Sequence, residues 1–385
     1  MKTPGEELAF RLAKVRRAME EAGVEALVTG SSAQYDHRGM LRYLTDYYIS
    51  VFEEFLVIHT DGPVVFFAHD ASGVSYMEEL GAVDEVRPIP GEEYTVRPGK
   101  CVAEYLKERR ISHVGLAGLS GLSAAFYRSF TEAAEGLLQR DMTRELWQIR
   151  MRKSPYEMAL SREAIRLNEE VFRYYLTQVA AGKTEYEAIQ RAAAYGWEAG
   201  CEDQYWLADT GKGTLCRPLP LVREKGRIWQ VGDMHGVVME HSAAGGHYSE
   251  LSRHLSIGRE APAFTAAYEA LAQAQEEAFA VMRPGNTVGQ VAEAVETSLR
   301  KTVFGARYAK RAAPLSMGHG QGLDVWEYPR IIRGDETLLA SGMRLNLHPS
   351  VELPDGTSVS FCDLYGITEK SAEKLSSLED RVYRV

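Results

Sequence analysis

A helix-start signature stands in the interior of this chain: Ser154 precedes Pro155, and Glu157 follows three residues after the serine. A serine that accepts from the backbone at the third helical position, a glutamate that reaches back and a proline at the first position together deal with the unpaired N–H groups of a helix end. The signature opens a periodic segment to about Ala180 and separates two stretches of different character. A chain of 385 residues with 45% hydrophobic content exceeds one ordinary core, so two domains are expected, 1–148 and 149–385.

In the first stretch Leu8, Leu12, Val15 and Met19 recur at helical spacing, followed by Gly23 and the apolar run Ala26-Leu27-Val28. FLVIHTDGPVVFFAHD contains two apolar runs split by Asp61-Gly62-Pro63, a hairpin signal, and HVGLAG near 113–118 reads as a buried strand. This is an α/β layer. The second stretch predicts a further helix after Thr184, strands from about 227 to 257, two long helices split at Met282-Arg283-Pro284-Gly285 and a strand-rich end. That order is α+β. The formal charge of −10 is spread along the chain without a lysine or arginine run, which argues against a nucleic-acid partner. No apolar stretch approaches the roughly 18 to 20 residues of a membrane span, and the start MKTPGEELAFRLAKV lacks the layout of a signal peptide. A cytoplasmic protein is expected. Cys101, Cys201, Cys216 and Cys362 form no CxxC pair, against a disulfide framework or a local zinc knuckle.

Several strings, in this order, resemble the creatinase, prolidase and aminopeptidase P family over essentially the whole chain. They are RYLTDY (42–47), RMRKSPYEM (150–158), VMRPGNTVGQV (281–291) and GHGQGLDVWEYP (318–329), followed by GMRLNLHP (342–349) and DLYGITEKSAEKLS (363–376). The resemblance implies an α/β N-terminal domain followed by an α+β pita-bread domain, two αα-β-β halves related by pseudo-symmetry. It also implies a homodimer in which the partner's N-terminal domain closes the pocket.

Metal-dependent members of that family hold two divalent ions with two aspartates, one histidine and two glutamates, because carboxylate oxygens both neutralise and bridge the cations. In this chain the first aspartate position falls on Met239 or Glu240, depending on one gap, and the second on Glu250. The histidine is His319, the first glutamate is His348 and the second is Cys362. The exchanges leave too little negative charge to bridge two hard cations, so the leading expectation is a pocket without metal or other cofactor. The alternative is one zinc-like ion on Glu250, His319, His348 and Cys362, all zinc donors. In a third reading His348 and Cys362 merely pack.

Two further departures concern proton transfer. Cys216 stands where family hydrolases carry a histidine two residues before a proline, and Trp326 replaces a second histidine in the tail of GHGQGLDVWEYP. Both weaken the proline-specific peptidase reading. The metal-independent relatives creatinase and ectoine hydrolase then supply the expected function: a hydrolase or lyase acting on a C–N bond of a small, cationic nitrogen compound. In it Glu240 and Glu250 hold the cation through paired hydrogen bonds, and His319 and His348 exchange protons. Cys216, Cys362, His247 and Trp326 line the substrate space, joined by Tyr47 and Phe52. The alternatives are a single-metal Xaa-Pro-peptidase-type hydrolase and a non-catalytic relative that binds a peptide or protein.

Overall fold

The computed structural model describes residues 3–385 other than 212–216, 219–227, 260, 306–307 and 309–314. It divides into two compact units, Met1–Arg150 and Met151–Val385. Among the described residues no helix is long and apolar enough to cross a membrane.

The first unit opens with the helix Pro4–Ala22, capped by reciprocal hydrogen bonds between Thr3 and Glu6 and stopped by Gly23 in the left-handed conformation. Its sheet contains β1 (Ala26–Ser31), β2 (Glu54–His59), β3 (Val64–Ala68), β4 (Glu85–Pro88), β5 (His113–Leu116) and β6 (Leu138–Asp141), in the order β4-β3-β2-β1-β5-β6. β2 and β3 form the hairpin expected around Asp61-Gly62-Pro63, and β1 pairs antiparallel with β2 and parallel with β5. Every residue of β1 and β2 is buried, so both faces of the sheet are covered. That is why these strands read as apolar runs rather than as alternation.

In the second unit Ser154 and Glu157 form the predicted capping box at the head of the helix Pro155–Gln178, and Thr184 caps the helix Glu185–Glu198. Next come β7 (Asp203–Thr210), β8 (Arg217–Pro218), β9 (Met234–Ser242) and β10 (Tyr248–Ser256). β7 lies ahead of the strands expected from about 227. Its Asp203, Gln204 and Asp209 interrupt the apolar pattern that marks a strand. The helices Pro262–Val281 and Val288–Arg300 lead to β11 (Gly318–Gly320), β12 (Glu327–Arg330) and β13 (Arg344–Leu347). The chain ends with β14 (Ser350–Glu352), β15 (Ser358–Ser360), β16 (Asp363–Ile367), β17 (Ala372–Lys374) and β18 (Tyr383–Arg384).

Two five-stranded sheets result, ordered β18-β10-β9-β7-β8 and β12-β11-β13-β16-β17. Each has its own helix pair. Leu167, Phe172 and Ile189 pack on Trp206, Val237 and Leu251, while Phe264, Leu271, Val291 and Leu299 pack with Met317, Leu345 and Leu347. This repeat of helix pair and sheet is the pita-bread architecture. The sheets meet where Ser252 of β10 bridges Cys362 beside β16. Strand alternation then sorts the side chains: Met239 and Leu251 join the helix-covered core, and Glu240 and Glu250 point to the opposite face.

Candidate metal centre

β10 presents Glu250, β11 presents His319, and His348 follows the last residue of β13. One ligand-capable atom from each of the three lies within 4.8 Å of the others. Nε2 of His319 is 3.5 Å from Oε2 of Glu250, and the His319 and His348 rings stand edge to face with centroids 5.1 Å apart. The glycines of GHG make this placement possible. A Cβ on Gly318 would lie 1.9 Å from the Asn346 carbonyl oxygen, and one on Gly320 would lie 2.3 Å from that of Tyr328. Only glycine lets β12 and β13 close on either side of His319.

Neighbouring groups fix two of the donors. The Gly320 carbonyl can only accept, so Nδ1 of His319, 2.8 Å away, donates its hydrogen and leaves the Nε2 lone pair facing Glu250. Burial pulls the His319 pKa down to about 4 against the opposing charge of Glu250. The ring is therefore neutral at pH 7, the form a metal ion requires. Asn346 donates from Nδ2 to Oε2 of Glu250 at 3.1 Å.

Glu240 stands directly opposite Glu250 in the β9–β10 ladder. This resolves the ambiguous first position: Glu240 faces the site and Met239 belongs to the core. Glu240 accepts a hydrogen bond from Nε2 of Gln321 at 3.2 Å. Burial, reinforced by the charge of Glu250, raises its pKa well above the usual carboxylate range. Tyr205 pairs with Glu240 from the other side, on β7.

Other expected site residues fall outside this group of donors. Cys362 is fully buried, outside the 4.8 Å group of Glu250, His319 and His348, so the four-residue zinc set is corrected to three. Its thiol points to the Asp363 carbonyl at 3.8 Å, and burial pushes its pKa well up. Arg253 is a structural partner here, donating to the Cys362 carbonyl at 2.6 Å and to Oδ1 of Asp363 at 2.9 Å. His247 is corrected as well. It is buried at the head of the helix Pro155–Gln178, 3.9 Å from Oε1 of Glu157 and 3.5 Å from Ser161. Tyr47, expected to touch substrate, is core of the first unit, packed on Phe66 and Tyr76 at centroid distances of 4.9 and 4.8 Å. Phe52 keeps an exposed ring against His69 and Tyr94. Trp326 is half-buried beside the site, 6.2 Å from His319 and 5.1 Å from Tyr328. Cys216 lies outside the described residues. Sequence reasoning missed Tyr205, Gln321, Arg344 and Asn346. The last three alternate with His319 or His348 along a strand, a period-two signal available in GHGQ and RLNLH.

The family described as "Metallopeptidase family M24" matches residues 159–369, more than half of the chain. "Creatinase/Prolidase N-terminal domain" matches residues 11–152. The chain belongs to metallopeptidase family M24 and stands among its hydrolases. The Xaa-Pro dipeptidase of Pyrococcus furiosus is 25% identical over 264 residues, covering 68% of this chain and 74% of that protein. The Xaa-Pro dipeptidase of Pyrococcus horikoshii is 25% identical over 232 residues, covering 60% of this chain and 64%, just under two thirds, of its own length. Among solved structures, dipeptidase PepE from Mycobacterium ulcerans superposes with a TM-score of 0.81 at 24% identity, covering 100% of both chains. The X-Pro aminopeptidase from Thermotoga maritima does so at 0.82 and 17%, covering 97% of this chain and 99% of that one. At these identities the structural likeness establishes the fold.

Membership of a metallopeptidase family, with Glu250, His319 and His348 converging in one group, overturns the expectation of a pocket without metal. The leaning towards creatinase and ectoine hydrolase is corrected with it. What misled was the count of lost carboxylates, which speaks against two hard cations and not against one softer ion.

Proposed function

We propose that this chain is a single-metal peptidase for dipeptides or other short peptides, with a zinc-type ion held by Glu250, His319 and His348. The observation that carries this reading is the convergence of those three donors within 4.8 Å. Two imidazoles and a carboxylate are a zinc-type donor set that leaves a coordination position open. A pair of ions would need carboxylates at the positions of His348 and Cys362. When bound, such an ion supplies Lewis acidity to a peptide carbonyl and acidifies water.

The chain's own residues supply orientation and proton handling. Asn346 holds Glu250 in place, and the Gly320 carbonyl keeps His319 in the tautomer with Nε2 free. Glu240, its carboxyl pushed towards the neutral form, is suited to hold and release a proton where the family uses imidazoles. Trp326 offers an apolar face and one N–H donor but no base, so no marked preference for proline is expected. The relatives named Xaa-Pro dipeptidase and dipeptidase support the peptide class.

Hydrolysis of a dipeptide panel by chelator-stripped and zinc-, manganese- or cobalt-reconstituted protein tests the proposal. Turnover should vanish with the metal and return with it, and Glu240→Gln should lower kcat by about 10²–10⁴ while the ion stays bound. Turnover indifferent both to chelator and to Glu250→Ala would overturn the reading.

A further inference from the structure

Arg344 is a fully buried guanidinium, 1% exposed, in the alternating row of β13 that continues through Asn346 to His348. Its Nη2 donates to Oε1 of Gln321 at 2.9 Å and to the main-chain carbonyl of Tyr248. Gln321 extends the contact, donating from Nε2 to Oε2 of Glu240 at 3.2 Å and to the Val325 carbonyl at 3.2 Å. The amide orientation follows from its neighbours, since a guanidinium can only donate and a carbonyl can only accept. Nε and Nη1 of Arg344 have no hydrogen-bond partner among the described residues. Glu327, whose charge also acts on Arg344, is itself paired with Lys153 at 2.7 Å.

We propose that Arg344 is the built-in counter-cation of the site: through Gln321 and Glu240 it brings into the protein the positive charge that a second metal ion would carry, and so holds the site to one ion. This rests on the single-metal reading above. Even with Glu240 and Glu250 both ionised, the pocket offers two negative charges, and Arg344 cancels one. What remains suits one divalent cation, whereas two would place four positive charges in a buried space. Three sequence features act in the same direction. His348 and Cys362 bring no carboxylate, and Arg344 adds a cation. Arg344 is thus a positioning residue, acting on the ion through charge and through Glu240 rather than by touching substrate.

The test is calorimetric titration of zinc and of manganese into chelator-stripped, full-length protein. Wild-type protein should take up one ion per chain. Arg344→Met should bind zinc at least about tenfold more tightly, or admit a second ion, because a unit charge near a divalent cation in a low-dielectric site has been removed. Arg344→Gln, which keeps a donor for Gln321 and the Tyr248 carbonyl, should do the same, and stands in if the methionine variant fails to fold. Arg344→Lys, retaining the charge, should stay within about threefold of wild type. Two ions per chain in wild-type protein would overturn this inference and leave the peptidase proposal standing. So would unchanged affinity and stoichiometry in the neutral variants. Absence of any binding would overturn the single-metal reading and the inference together.

Discussion

Replacing Lys153 with methionine strands a buried carboxylate, and its cost can be worked out from the structure. Nζ of Lys153 meets Oε2 of Glu327 at 2.7 Å, with each side chain 2% exposed. Glu327 also accepts from the backbone N–H groups of Leu323 at 3.0 Å and Asp324 at 3.4 Å, so it pins the turn that carries Trp326. Burial lowers the Lys153 pKa although Glu327 pulls the other way, which shows how much of the ammonium's stability here depends on its partner. Methionine keeps most of the stem volume and deletes the charge. Removing one member of a buried pair costs about 3–5 kcal/mol. At roughly 2–4 °C per kcal/mol for a unit of this size, the melting transition of residues 151–385 should fall by about 6–20 °C. Adding Glu327→Gln to the same chain should recover stability, with a coupling energy of at least about 1.5 kcal/mol in the double-mutant cycle. Scanning calorimetry and urea unfolding read both quantities. A loss below about 1 kcal/mol, or a double variant equal to the sum of the singles, would refute the charge-pair argument.

Other consequences are open to measurement. Trp326→His returns an imidazole beside His319 and should raise kcat/KM for Xaa-Pro dipeptides, relative to other dipeptides, by at least about tenfold. His254 lies buried against Phe264 and Tyr268, and burial lowers its pKa from 6.5 to about 4. The unfolded chain therefore binds the extra proton between those values. Stability is complete above pH 6.5 and should decline by about 3 kcal/mol on this account as pH falls towards 4, a slope that His254→Leu flattens in urea titrations. Glu54 gives the opposite sign. Burial raises its pKa from 4.5 to about 8, so the folded first unit holds the extra proton, is most stable below pH 4.5 and loses stability as pH rises through 8. Glu54→Gln should remove that decline in thermal scans between about pH 5 and 9.

Features that depend on neighbours along the chain were legible in the sequence. The box Ser154-Pro155-x-Glu157, the hairpin at Asp61-Gly62-Pro63 and the cap at Thr184 each follow from a few adjacent residues, and the structure has all three. His319 and His348 were readable for the same reason, since each sits in a string whose glycine or proline sets its local backbone. What depends on pairing between strands was not. Whether Met239 or Glu240 faces the pocket is decided by which side of β9 pairs into view of β10, and the sequence contains that register only implicitly. Lys153 and Glu327 are 174 residues apart, and each alone reads as an ordinary surface charge. Arg344 was passed over because an arginine in a strand usually means an exposed face, whereas here it is buried with the donors that replaced the family's carboxylates. Residue type alone drew His247 and Cys362 into the site; packing sets His247 against Glu157 and Ser161, and it leaves Cys362 within reach of the Glu250 charge but outside the three-donor group.

The central claim is one ion on Glu250, His319 and His348. Elemental analysis of purified protein after reconstitution with zinc and exhaustive dialysis addresses it directly, with Glu250→Ala and His319→Ala treated identically. One divalent ion per wild-type chain, and essentially none in either variant, is the predicted result. Two ions per wild-type chain, none at all, or one ion retained by both variants would contradict it.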